Sequence, residues 1–189
     1  MYRKTWMQVN LDKIKRNLIK LKDICQKKII AVLKADAYGC GDIHVARAVL
    51  EAGAEMIAVS SLDEALVLRN EGYEGKLLIL GATEASDIPV LIKQGISCTA
   101  YSNEWVDSAI QQNCEGLHVH LKMDTGMSRI GFRTIDELHL AFDKLQAARC
   151  NMEGIFTHFC CADSDLELTN LQFSKFKEAV ESFSYSFPW

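Results

Sequence analysis

Nowhere in the 189 residues does an apolar run approach the roughly 20 needed to span a bilayer, so the sequence offers no transmembrane helix. Residues 1–6 carry Arg3 and Lys4 with no apolar segment behind them, which excludes a secretory signal and leads to a cytoplasmic reading. Charge of one sign is not in excess. The balance of 21 basic and 25 acidic residues leaves −4, with the lysines scattered, which excludes a surface for nucleic acid or an anionic membrane. The seven cysteines lack regular spacing and are odd in number, so they fit free thiols in a reducing compartment rather than a disulfide framework. The adjacent pair Cys160-Cys161 suits neither a zinc knuckle nor a thioredoxin-like motif. No Gly-x-Gly-x-x-Gly follows the first strand-like run, which removes the phosphate fingerprint of dinucleotide-binding sheets. No stretch reads as a linker to a second domain. What is present, 49% hydrophobic and 24% charged residues, is ordinary for a globular chain with one core.

The organising stretch is Ala31-Val32-Leu33-Lys34-Ala35-Asp36-Ala37-Tyr38-Gly39-Cys40-Gly41. Residues 29–33 are a short, largely β-branched run that predicts a strand covered on both faces, as in parallel sheets. Lys34 then stands at the strand's carboxyl end, where α/β folds build their sites. A lysine there can act as a nucleophile if its amine is kept partly neutral, although spacing alone also fits a solvated lysine.

Before this stretch, residues 6–9 predict a short strand, and Asn10 caps a helix with Leu11, Ile14, Leu18 and Leu21 at helical spacing. After it, strand and helix alternate. Asp42 caps a helix that stops at Gly53, and residues 56–59 form a strand. Ser61 and Glu64 form a capping box, with Gly72 closing that helix. Residues 77–80 form a strand, followed by a helix ending at Gly95; residues 96–100 form the next, and Ser102 caps its helix. Residues 117–123 form a fifth strand, and Thr134 with Glu137 makes another capping box. Residues 152–157 form a sixth, leading to a helix with Phe173, Phe176, Val180 and Phe183 on one stripe. Six such units predict a parallel α/β sheet with right-handed crossovers, either doubly wound or a (β/α)₈ TIM-type barrel. Without the dinucleotide fingerprint the barrel leads, and it is incomplete, with about six of its eight units. The outermost strands would then each expose an apolar edge that invites pairing or aggregation. Residues 183–189 read as a connection toward a further strand.

On the fifth strand, His118, His120, Lys122 and Asp124 alternate with Leu117, Val119, Leu121 and Met123, so a barrel would point the polar four inward. A strand with one wet face fits the same alternation. The loop Asp124-Thr125-Gly126-Met127-Ser128-Arg129-Ile130-Gly131-Phe132 could present backbone N–H groups and a fixed cation to an anion, or be a surface turn. His158 ends the sixth strand. Lys34, Lys122, Arg129 and His158 therefore all fall at carboxyl ends of strands. Two chemistries fit them. One is a metal site on His118, His120, Lys122 and His158, as in barrel hydrolases. The other is a Schiff base between Lys34 and a phosphate-bearing aldehyde cofactor, of which pyridoxal 5′-phosphate is the common case.

These residues resemble the alanine racemase family of pyridoxal-phosphate enzymes, in the segment 31–39, in Lys122-Met123-Asp124-Thr125-Gly126-Met127-Ser128-Arg129-Ile130-Gly131-Phe132, and in Thr157-His158-Phe159 with Ala162-Asp163. The resemblance covers nearly the whole chain but only the family's amino-terminal half, so 1–189 is expected to be the amino-terminal part of a cofactor-binding barrel, the last barrel units and a carboxyl-terminal β domain being absent. It implies an isomerase that interconverts L- and D-alanine, or serine, and supplies a peptidoglycan precursor. By similarity Lys34 holds the cofactor and serves as one racemisation base, and Tyr38 reaches its phosphate. Arg129 bonds the phenolate oxygen and, with Met127, lies near the substrate carboxylate. Lys122, carbamylated in many members, holds Arg129, and His158 lies beside the ring. No metal is implied. The partners implied are a small amino acid and, for the full-length enzyme, a second copy in a homodimer. Two features depart from the family: Gly39-Cys40-Gly41 stands where members have Gly-His-Gly, and none of Tyr2, Tyr38, Tyr73, Tyr101 or Tyr185 matches the catalytic tyrosine, which the partner subunit's β domain supplies. The chain alone is therefore expected to be inactive. Alternatives from other classes are a non-catalytic pyridoxal-phosphate homeostasis protein and the metal-dependent hydrolase.

Overall fold

The computed structural model describes residues 4–189, so Tyr2 and the first charged residue of the amino-terminal segment lie outside the described residues. The elements run α1 (Leu11–Cys25), β1 (Ile30–Val32), the one-turn segment α2 (Lys34–Gly39), α3 (Asp42–Glu51), β2 (Met56–Val59), α4 (Leu62–Asn70) and β3 (Leu77–Ile79). They continue with α5 (Ile88–Gln94), β4 (Cys98–Ala100), α6 (Asn103–Gln111), β5 (His118–Lys122), α7 (Ile135–Ala147), β6 (Asn151–Phe156) and α8 (Leu166–Glu181). This is the α/β alternation that the sequence predicts. The chain divides into two compact units, one ending at Leu78 and the other spanning Ile79–Trp189. Among the described residues no helix is long and apolar enough to cross a membrane.

In the first unit β1 lies parallel to β2, with Ile30 opposite Met56 and Val32 opposite Ala58. Every residue of β2 is buried, as a continuous apolar run requires when both sheet faces are covered. β1 differs from the expectation: Ile30 and Ala31 are half-buried and Val32 is exposed, because the strand pairs with β2 alone. Residues 6–9 form no strand, since Trp6 and Met7 are exposed with no neighbouring strand to pair with. Asn10 does cap α1, its side-chain oxygen accepting from Lys13 N–H at 3.0 Å. Gly41 rather than Asp42 precedes α3, and the Asp42 N–H is taken at 2.8 Å by the carboxylate of Asp36.

In the second unit the sheet order is β4-β5-β6, all parallel. Thr134 and Glu137 close the full capping box of α7, and Ser102 caps α6. The β5–β6 register slips: Val119 faces Met152 but His120 faces Gly154, leaving Glu153 as an extra residue in β6. That bulge aims the Glu153 carboxylate at Ser97 Oγ (2.6 Å), His118 Nδ1 (2.8 Å) and His120 Nε2 (3.4 Å). Burial works against its charge, but these hydrogen bonds and the nearby His118 outweigh it and hold the carboxyl at about 2. The Trp189 N–H reaches the Glu153 carbonyl at 3.1 Å. Helix α8 also departs from expectation. Its buried residues are Gln172 and Ala179, while Phe173 is exposed and Phe183 lies beyond the helix. Phe176 and Val180 of the expected stripe are half-buried, and Gln172 beside them is fully buried with hydrogen-bond partners inside. Phe183 packs instead against Phe142 and Phe187, with ring centroids 5.2 and 5.3 Å away.

The Glu153 cluster makes stability pH-dependent. A carboxyl lowered on folding stabilises fully above its unfolded value near 4.5 and loses that contribution as pH falls toward 2. Glu153→Gln is therefore expected to lower the denaturation midpoint at pH 7 and to flatten the loss between pH 4.5 and 3, measured by urea titration of both proteins.

Candidate active site

In the first unit Lys34 follows β1 directly and opens α2. The sequence predicts a loop here; the backbone is instead a left-handed turn. Ala35, Asp36, Ala37 and Tyr38 have φ of 52°, 54°, 51° and 57°, a conformation that costs about 1–2 kcal/mol per residue for side chains with a Cβ. Four such residues in a row persist only if their backbone groups are tied down. Ala37 N–H donates to Leu33 O at 2.9 Å, Gly41 N–H to Asp36 O at 3.0 Å, and Asp36 reaches forward to Asp42. The first amide of the run is held from outside: Ala35 N–H donates to Glu64 Oε1 at 2.8 Å. The other oxygen of Glu64 accepts from Ser60 N–H at 2.7 Å and Ser60 Oγ at 2.8 Å. Burial opposes the charge of Glu64, but the amides of Ala35, Ser60 and Ser61 outweigh it and hold the carboxyl below the usual range. The Lys34 side chain is half-buried, and its amine lies 5.9 Å from the centre of the exposed Tyr38 ring.

In the second unit Lys122 ends β5 with 1% of its surface exposed. Its Nζ has no hydrogen-bond partner among the described residues and lies 5.4 Å from the Phe156 ring centre. Burial first, and then the positive charge of Arg129, push the amine below its ordinary value. Arg129 itself is exposed and makes no hydrogen bond or ion pair among the described residues. The loop between them is fixed by Asp124, whose Oδ1 accepts from Gly126 N–H at 3.0 Å and Ser128 N–H at 2.9 Å. Those amides are therefore spent inside the loop, not offered to an anion as the sequence suggests. Gly131 has a packing role: a Cβ there would stand 2.7 Å from Lys122 O and 2.8 Å from Asp124 N, at φ +123°. Met127 is half-buried in this loop and His158 is exposed just past β6.

Buried Gln172 on α8 joins the loops after β5 and β6. Its Nε2 donates to Thr125 Oγ1 at 3.1 Å and His158 O at 3.2 Å, and its Oε1 accepts from Cys160 N–H at 3.1 Å. Thr125 and Thr157 hydroxyls meet at 2.8 Å. Sequence reading gives no sign of Gln172, because a lone amide in an amphipathic helix reads as surface. Glu64 is read only as a capping partner, although its position three after Ser61 carries part of the signal. His120 is buried as the alternation implies, with Lys122 and Asp124, whereas His118 stays 40% exposed. Both histidines serve Glu153. Among the described residues no group of three or more His, Cys, Asp or Glu is arranged to hold a metal ion.

A family model described as "Alanine racemase, N-terminal domain" matches residues 9–188. The chain belongs to this alanine racemase N-terminal domain family. It is 39% identical over 184 residues to alanine racemase 1 of Bacillus subtilis (strain 168), a match that covers 95% of this chain and 47% of that protein. The solved alanine racemase from Bacillus anthracis with bound L-Ala-P superposes with a TM-score of 0.90 at 35% identity, over 100% of this chain and 51% of that one. A histidine racemase from Leuconostoc mesenteroides matches with a TM-score of 0.88 at 28% identity, over 95% of this chain and 50% of that one. The chain thus spans about half the length of the curated relatives it matches, and its six parallel units match the amino-terminal barrel portion of these racemases.

Gln172→Leu fills the same space without donors or acceptors. It is expected to cost about 1–3 kcal/mol, since it strands buried polar groups on both loops. Urea denaturation reads the cost, and faster proteolysis confined to residues 158–165 would locate it.

Proposed function

We propose that this chain is the cofactor-binding, amino-terminal barrel portion of an amino-acid racemase that uses pyridoxal 5′-phosphate and takes alanine. The observation that carries the reading is Lys34, delivered by β1 onto a turn of fixed left-handed geometry, within a chain that the family model matches from residue 9 to 188. The residue chemistry fits the cofactor. Lys34 offers a primary amine to an aldehyde, Tyr38 an exposed hydroxyl for a phosphate oxygen, and Arg129 a cation with no competing anion bonded to it. Alanine is chosen over other amino acids because the relatives at 37–39% identity are named alanine racemases, whereas the histidine racemase stands at 28%.

When bound, pyridoxal phosphate supplies an electron sink for the charge left on a substrate Cα after its proton departs. Lys34 would hold the cofactor and take or return that proton on one face. Arg129 would face the phenolate oxygen and substrate carboxylate, with Met127 alongside; His158 would pack beside the ring. Lys122 has the chemistry for carbamylation: burial and Arg129 favour the uncharged form of its amine, which can add carbon dioxide and lose a proton, converting a partnerless buried base into an anion that attracts Arg129. The second proton-transfer base would come from a partner subunit in a homodimer, in the cytoplasm.

Borohydride treatment after incubation with pyridoxal phosphate is expected to fix one cofactor on the peptide containing Lys34, and none in Lys34→Ala. The chain alone is expected to make little or no D-alanine from L-alanine. Absence of label at Lys34 would falsify the proposal. Lys122 is expected to carry one added carbon dioxide in bicarbonate buffer, seen by ¹³C NMR as a carbamate signal that Lys122→Ala lacks.

A further inference from the structure

We propose that Glu64 is the positioning residue of Lys34: through Ala35 it sets the direction in which the Lys34 side chain leaves the backbone. This rests on the role given to Lys34 above. Ala35 N–H belongs to the peptide plane that joins Lys34 to Ala35, so the acceptor that fixes this plane fixes the Lys34 ψ angle and the heading of its Cα–Cβ bond. That acceptor is Glu64 Oε1, at 2.8 Å. The rest of the turn is braced by its own residues: Asp36 carries the far end through Asp42 N–H, and Ala37 N–H returns to Leu33 O. Only the near end, beside Lys34, depends on a side chain from another element.

Glu64 is itself immobilised. Its carboxylate is held by Ser60 just past β2, both of whose donors go to the second oxygen, while its backbone N–H goes separately to Ser61 Oγ at 3.4 Å as the cap of α4. One carboxylate thus ties the exit of β1 to the exit of β2, the two strands paired in register beneath it. The chemistry requires a carboxylate. Glutamate brings acceptors on both oxygens, and a charged acceptor forms the stronger bond. Glutamine keeps one acceptor and turns an NH₂ group toward an N–H that has nothing to give it, so either Ala35 or Ser60 loses its partner. With the Ala35 amide released, a left-handed run of residues with Cβ atoms has no external hold at its start, and Lys34 swings with it.

The test compares Glu64→Gln with Ser61→Ala, which removes a cap hydrogen bond from the same helix but leaves the Ala35 contact alone. Two quantities are read: amide hydrogen exchange of residues 35–38 in protein without added cofactor, and the rate at which pyridoxal phosphate becomes borohydride-fixed on Lys34. Glu64→Gln is expected to speed the exchange and slow the labelling, each by about tenfold or more, the factor that loss of one charge-assisted hydrogen bond represents. Ser61→Ala, compared at the same margin below its unfolding midpoint, is expected to change neither. If Glu64→Gln does not fold, Glu64→Asp carries the comparison, since it keeps the charge at the start of α4 and withdraws the oxygen from Ala35 by one methylene. Equal exchange and equal labelling in the two variants overturn the positioning role. Wild-type protein that takes no label at Lys34 overturns the function proposed for that lysine and the positioning role with it.

Discussion

Backbone amides just past the ends of the parallel strands have left the strand ladder and need new acceptors, and much of this protein's local geometry follows from that constraint. The strand ladder ends there, yet the chain has to turn sharply into its next helix. Three side chains meet the need. Glu64 takes the first amide after Lys34, Asp124 takes two amides in the loop after β5, and Gln172 takes one and gives two in the loops after β5 and β6. Each is longer or more polar than the packing around it calls for. Each also works on a segment that carries a residue given a role in cofactor or substrate binding: Lys34, Arg129 or His158.

The same constraint explains why Lys122 stands out. On the same strand His118 Nδ1 meets Glu153 at 2.8 Å and His120 Nε2 stands 3.4 Å from the other oxygen of that carboxylate, while Asp124 just past the strand organises its own loop. Lys122 is more deeply buried than His118, and its Nζ has no hydrogen-bond partner among the described residues. A protein interior tolerates an amine in that condition only by pushing it toward neutrality, as burial and Arg129 do here. An amine whose charge is disfavoured by burial and by a neighbouring cation is open to chemical change, which is why its environment and its proposed modification belong together.

The order of strands and helices could be read from the sequence because local signals agreed with one another. The Thr134–Glu137 box, the Ser102 and Asn10 caps and the glycines at 53, 72 and 95 punctuate runs whose apolar spacing already indicates their type. The site was legible only as residue types at strand ends. Four features stayed hidden, each for a physical reason. The left-handed turn after Lys34 is built from Ala, Asp, Ala and Tyr, of which only Asp has any leaning toward positive φ. The β6 bulge shifts register by one residue, and alternation within a single strand cannot reveal a mismatch with its neighbour. Gln172, not Phe173, is buried on α8, because its partners lie in loops that helical spacing cannot reveal. The short, exposed segment at residues 6–9 has strand-like composition but no strand to pair with, and composition alone cannot supply one.

The edge strands β1 and β6, one in each unit, bear on a different property, the tendency of a sheet edge to recruit another chain. β1 has three residues and β6 has six, and each pairs within its unit on one side only. A strand as short as β1 offers few free rungs to an incoming strand. On β6 the Glu153 carbonyl already has a donor in the Trp189 amide, and the bulge at Glu153 bends the ladder that an intruder would have to follow. The short backbone of β1 and the occupied, kinked rung of β6 are thus local features that work against the pairing such apolar edges would otherwise invite.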